Sequence, residues 1–173
     1  MKEAKPIIID LEIPSNPDEI SGYTKRVIDL LSEHTPVDVA LERKIKLILV
    51  ELVTNSIKHS TDTNGSIKFT INHPNITIQK VDRGLQIAFT QQSLPFKEVN
   101  KTIKVSFSDQ NNHQIKILDP YKFKFLNPYK EEITLDYLPE HFGLYIITLA
   151  SDSFIYQYDP ESNENSFIVL LNI

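Results

Sequence analysis

Four glycines in 173 residues, at positions 22, 65, 84 and 143, leave this chain few places for the backbone to take a positive φ or to approach a ligand closely. The regular elements between them are read from periodicity. Residues 7–13 are β-branched and partly alternating, and they stop at Pro14, Ser15, Asn16 and Pro17, the pattern of a strand and a turn. Residues 15–18 offer N-caps for a helix that carries Ile20, Tyr23, Val27, Leu30 and Leu31 at helical spacing and ends before Pro36. A longer helix starts near Val37 and Asp38 and aligns Leu41, Ile45, Ile48, Leu52 and Ile57 along one stripe to about Ser60.

After a polar loop at 61–65, residues 67–71 and 76–81 predict a hairpin, and the alternating run 85–89 predicts a third strand behind the turn Asp82-Arg83-Gly84. Residues 90–140 hold only short strand-like pieces, at 103–107, 115–118 and 123–125, and are expected to form an irregular lid or insertion that is mobile or faces a partner. A helix over 142–152 and strands over 154–158 and 167–173 close the chain. This order predicts one α+β domain spanning 1–173, a two-layer sandwich of a mixed β-sheet with helices on one face.

Composition narrows the classes of function. A formal charge of −5 without a dense Lys/Arg run argues against nucleic acid as a partner. The absence of cysteine removes disulfides, thiolate metal sites and cysteine nucleophiles. No apolar run is long enough for a membrane span and the N-terminus has no signal-like apolar region, so the expectation is a soluble, cytoplasmic protein without a membrane role.

The chemistry concentrates on the second helix. Steps of four place Glu51, Asn55 and His59 in one row beside the apolar stripe. A carboxylate there can take a proton from water or a hydroxyl, and one turn away an amide oxygen can serve a hard cation such as Mg²⁺. The same row also suits an ordinary amphipathic helix with its polar edge in solvent.

The segment Glu51-Leu52-Val53-Thr54-Asn55-Ser56-Ile57-Lys58-His59 resembles the N-box of the GHKL ATPases, the superfamily that holds gyrase, histidine kinases and the bacterial anti-sigma-factor serine kinases. Asp82-Arg83-Gly84 resembles the first glycine box of that family, and His141-Phe142-Gly143-Leu144 the second. Asn165-Ser166-Phe167 falls where the family has a further element near adenine. The layout is similar to the stand-alone anti-sigma-factor serine kinases and extends over almost the whole chain.

The resemblance implies a Bergerat-type fold that binds ATP and Mg²⁺. In it Glu51 is the general base, Asn55 holds Mg²⁺, Asp82 accepts a hydrogen bond from the adenine amino group and Gly84 lets the backbone pass the base. His59, His141, Phe142, Gly143, Leu144 and Ser166 complete the nucleotide site. The implied activity is transfer of the γ-phosphoryl group to a regulatory protein partner of the sigma-factor or anti-sigma-antagonist type, by a serine/threonine kinase or ATPase, with a homodimer left open. The alternative is an interaction module of the same fold that is catalytically inactive or binds no nucleotide.

Departures from the family pattern keep both readings in play. Gln86 stands in place of the second glycine of the first box, and His141 in place of a glycine of the second. Lys80 interrupts the apolar alternation before Asp82, and a box shifted to residues 91–96 restores the parity but puts Gln91 in place of the carboxylate.

Overall fold

The computed structural model describes residues 5–59, 65–108, 111–127 and 142–173. The elements are β1 (Ile7–Glu12), α1 (Ile20–Ser32), α2 (Val39–His59), β2 (Ser66–Asn72), β3 (Asn75–Arg83), β4 (Thr102–Ser108), β5 (Asn111–Asp119), β6 (Lys122–Leu126), α3 (Gly143–Ala150), β7 (Ser153–Asp159) and β8 (Glu164–Asn172). Capping residues set the helix starts. Asn16 Oδ1 accepts from the Asp18 N–H at 3.0 Å in a short 3₁₀ turn, and Asp38 Oδ1 accepts from the Leu41 N–H at 2.7 Å ahead of α2.

The strands form one eight-stranded sheet in the order β1-β2-β3-β8-β7-β6-β5-β4. Its core side can be followed strand by strand through directly opposed residues. One row runs Ile9, Phe69, Ile78, Val169, Phe154, Phe125, Ile115, and all but Ile9 are buried. The next row outward in register runs Asp10, Lys68, Gln79, Ile168, Ile155, Lys124, Lys116, and none of these is buried. The period of two thus holds along these rows, and the ladder shifts register at Ser106–Ser108 and Ile117–Asp119. Leu31 of α1 and Ile45, Ile48, Leu49 and Leu52 of α2 join the strand residues in one buried cluster, with α1 against α2 and α2 against α3.

Two expectations about the sheet are corrected. Every described strand pairing is antiparallel, so the sheet is not mixed: β2–β3, β4–β5–β6 and β7–β8 are successive hairpins, and the two long returns, β3 to β8 and β6 to β7, also reverse direction. And much of 90–140 is scaffold rather than irregular insertion, because β4, β5 and β6 extend the sheet beyond β7. The alternation Ile103, Val105, Phe107 against Asn111, His113, Ile115, Ile117 gives those strands their core side.

Residues 85–89 form no strand. From Gly84 the chain runs as a strap over the core side of the sheet: the Gly84 N–H donates to Asn163 O at 3.0 Å, Asn165 Nδ2 to Leu85 O at 3.3 Å, the Ile87 N–H to Tyr156 Oη at 2.9 Å and the Thr90 N–H to Ser106 O at 2.8 Å. Phe89 packs on Phe96, Phe107 and Phe123 with ring centroids 5.2–6.0 Å apart. Side-chain and loop partners across the sheet take up these backbone groups, so the segment needs no ladder.

The glycines also behave otherwise than expected. Among the described residues none has a positive φ, and the left-handed positions are Asn100 (φ 61°) and Asn163 (φ 54°).

His113 of β5 sits in this core, stacked on Tyr145 of α3 with ring centroids 3.8 Å apart and with Nε2 2.8 Å from Asn111 Oδ1. Burial lowers its pKa from 6.5 to about 4. The unfolded chain therefore takes up a proton between those values that the folded chain refuses, so stability is fully present above pH 6.5 and is lost as pH falls toward 4. Denaturant unfolding at stepped pH should show this loss, up to roughly 3 kcal/mol, and His113→Phe should flatten it. An equally steep acid limb in the variant would place the sensitivity elsewhere.

Candidate functional site

Glu51 and Asn55 lie one turn apart on α2, both half-buried, where the N-terminal end of α3 meets α2. Gly143, the first residue of α3, is seated against them: a Cβ there would collide with Glu51 Oε2 and lie 3.5 Å from Asn55 Nδ2. A side chain at 143 would therefore have to displace the end of the Glu51 side chain, and no positive φ demands glycine there. Three residues singled out from two distant sequence segments therefore meet at one point.

Burial raises the Glu51 pKa, and Lys58 counteracts only in part. Among the described residues the carboxylate has no hydrogen bond or ion pair. A carboxylate held in this way is more basic than a solvated one, the property a general base needs near neutral pH.

The neighbours on the same elements are placed unevenly. His59 is exposed in the last turn of α2. Phe142 caps α3, with its carbonyl accepting from the Ile146 N–H at 2.9 Å and its ring 5.3 Å from that of Tyr145, and Leu144 is half-buried in the first turn. His141 lies outside the described residues.

The second cluster is at the far end of β3. Asp82 is 8% exposed and points to the core side, whereas Gln91 is exposed beyond the strap. Lys80, two residues earlier, points the same way, is only 2% exposed, and forms an ion pair with Asp82. Its ammonium also lies 4.6 Å from the centre of the Phe167 ring. Burial lowers the Lys80 pKa and Asp82 opposes that shift.

Asn165, opposite Asp82 on β8, accepts from Tyr156 Oη at 2.6 Å and donates to Leu85 O, fixing the start of the strap beside the ion pair. Gly84, through its N–H to Asn163 O, anchors that same start. Ser166 is not brought to this cluster. Strand alternation turns it to the opposite face, where Gln79 Nε2 lies 3.4 Å from its hydroxyl, and Asn165 takes the inward position that the sequence reading gave to Ser166. Tyr156 was not singled out from sequence and Asn165 only as part of the segment 165–167, and the inward parity of their strands is the signal that could have marked them.

The two clusters differ in what they can hold. The carboxylate and amide oxygens of Glu51 and Asn55, with a Cβ-less neighbour, suit a hard cation with attached phosphate oxygens. At the other end the Asp82 carboxylate, which would receive an adenine amino group, already holds the Lys80 ammonium through Oδ2. Among the described residues no group of His, Asp and Glu side chains would by itself enclose a metal ion. A separate cavity of about 400 Å³, lined by Asp119, Tyr121, Lys122, Gln157, Tyr158, Asp159 and Pro160, shares no residue with either cluster. No family model matches the chain, and no curated protein matches it.

Two outcomes follow from these geometries. Lys80→Met leaves a buried carboxylate unpaired and should cost about 3–5 kcal/mol, whereas Lys80→Met with Asp82→Leu should recover most of it, read from denaturant midpoints. Equal destabilisation by both would show that the lysine stem, not its charge, matters.

For Glu51 the sign runs the other way. Its folded-state pKa is above the ordinary 4.5, so ionisation disfavours folding as pH rises from 4.5 through the raised value. Glu51→Gln should melt above the wild type at neutral pH, and the gain should vanish below pH 4.5. A variant that melts lower at neutral pH would mean the carboxylate stabilises the fold.

Proposed function

We propose that the chain is an ATP-binding regulatory domain with a GHKL-like, Bergerat-type layout, its helices on one face of the sheet, that acts on a partner protein in the manner of the anti-sigma-factor serine kinases. The observation that supports this reading is the meeting of Glu51, Asn55 and Gly143. When bound, the Mg-nucleotide would supply the phosphoryl group and the charge on which positioning and electrostatics act. Asn55 would hold the cation through its amide oxygen, and Glu51 would draw a proton from the accepting hydroxyl. The first-turn N–H groups of α3, beside Gly143, would face phosphate oxygens.

The Lys80–Asp82 ion pair favours a second reading, in which the same layout serves as an interaction module that takes up no nucleotide. Thermal unfolding with and without Mg-ATP separates the two, because a ligand that binds only the folded state raises the melting temperature by mass action. On the first reading Mg-ATP raises it, Asn55→Ala abolishes the part of the shift that depends on Mg²⁺, and Glu51→Gln keeps the shift while phosphoryl transfer or hydrolysis falls by roughly 10²–10⁴-fold. A wild-type chain whose melting temperature ignores saturating Mg-ATP gives the function to the interaction module.

A further inference from the structure

The face of the sheet opposite the core carries charge that no run in the sequence shows. On β1 and β2 its lysine is balanced, with Lys68 directly opposite Asp10. On β4, β5 and β6 it is balanced at Lys122, which has Asp119 directly opposite, and not at the other lysines. Lys116 stands directly opposite Lys124, Lys104 lies two residues along β4 from the partner of Lys116, and Lys122 lies two residues along β6 from Lys124. Four lysines from three strands thus form one diagonal stripe on a chain of net charge −5, and none of them has an ion pair among the described residues.

Like charges directly opposite one another on a sheet are unfavourable. Lysine on an edge strand discourages sheet-to-sheet association, which accounts for Lys104 on β4. It does not account for Lys116, Lys122 and Lys124, which lie on inner strands. Beside the stripe, in the same register rows, Ile155, Ile168, Leu126 and Leu170 are half-buried on this face.

We propose that this lysine stripe and its aliphatic border dock an acidic protein surface, with carboxylates seated over Lys116 and Lys124 and aliphatic side chains against Ile155 and Ile168. Charge complementarity selects the partner's sign. The border selects its class. Single-stranded nucleic acid is held by stacking on aromatic side chains, and the outward-facing positions of β4, β5 and β6 carry none. A bilayer needs apolar side chains that project beyond the basic ones, and here the aliphatic residues are half-buried beside longer lysine side chains. A protein interface combines these two features, an apolar centre and a charged rim.

The test uses the full chain and three probes in fluorescence anisotropy or co-sedimentation: a labelled peptide of repeating Glu-Glu-Leu, a single-stranded oligonucleotide, and phosphatidylserine vesicles. The peptide is expected to bind, more weakly as salt rises, and Lys116→Gln with Lys124→Gln is expected to weaken it roughly tenfold, two charge pairs being lost. The double variant should unfold at the same denaturant concentration as the wild type or a higher one, since the opposed charges are relieved. No peptide binding at low salt, or binding indifferent to the double variant, overturns the proposal. So do a variant less stable than the wild type, tighter binding of the oligonucleotide or the vesicles, and salt-sensitive self-association, which would make a second copy the occupant.

Discussion

The period-two register carried across eight strands, with shifts at Ser106–Ser108 and Ile117–Asp119, is the constraint on which the other features rest. A slip of one residue in β6 alone would turn Lys122 and Lys124 into the core and Phe123 and Phe125 out of it, at a cost of several buried aromatic contacts and two desolvated ammonium groups. The same register decides that Asn165 and not Ser166 faces the strap, and that Asp82 and not Arg83 is buried. Lys116 and Lys124 face each other on the outer surface for the same reason. The strap over residues 84–90 depends on it as well, since its partners Asn163, Asn165, Tyr156 and Ser106 come from three different strands and the β7–β8 turn.

One row of that register departs from an apolar core. It runs Ile67, Lys80, Phe167, Tyr156, Phe123, Ile117, a lysine among isoleucines and aromatic rings at the middle of the sheet. A buried ion pair is commonly no more stabilising than an apolar replacement of the same volume. Nor does this pair specify strand pairing, because Lys80 and Asp82 lie on the same strand and would meet in any register. Neither stability over an apolar core nor pairing specificity explains it.

The helices, the β2–β3 hairpin and the last two strands were legible in the sequence because their signals are local: Asn16 and Asp38 as caps, the Leu41–Ile45–Ile48–Leu52 stripe, alternation in 76–81. Pieces of β4, β5 and β6 were legible too, but not their place in the sheet. The contact that joins them to it pairs Phe123 and Phe125 with Tyr156 and Phe154, about thirty residues on, and no local pattern reports such a partner. Lys80 looked like a break in alternation because a charged side chain was assumed to face solvent. In fact the alternation continues through it, since Asp82 and Phe167 together replace part of its hydration. The left-handed positions were not those that glycine would mark: asparagine at 100 and 163 takes that conformation.

Glu51 and Lys80 are both held where burial opposes their charged forms, yet they differ in what answers that opposition. Lys80 is answered from within, by Asp82 and the Phe167 ring, and nothing from outside is needed to keep it charged. Glu51 has only the screened attraction of Lys58, and its Oε2 occupies the place a Cβ on residue 143 would take. A cation brought by a ligand would therefore meet a less neutralised carboxylate at Glu51 than an amino group would meet at Asp82, which Lys80 already pairs through Oδ2. On the proposed nucleotide-binding reading, that asymmetry would put more of the affinity in the metal and phosphate portion of the ligand than in its base.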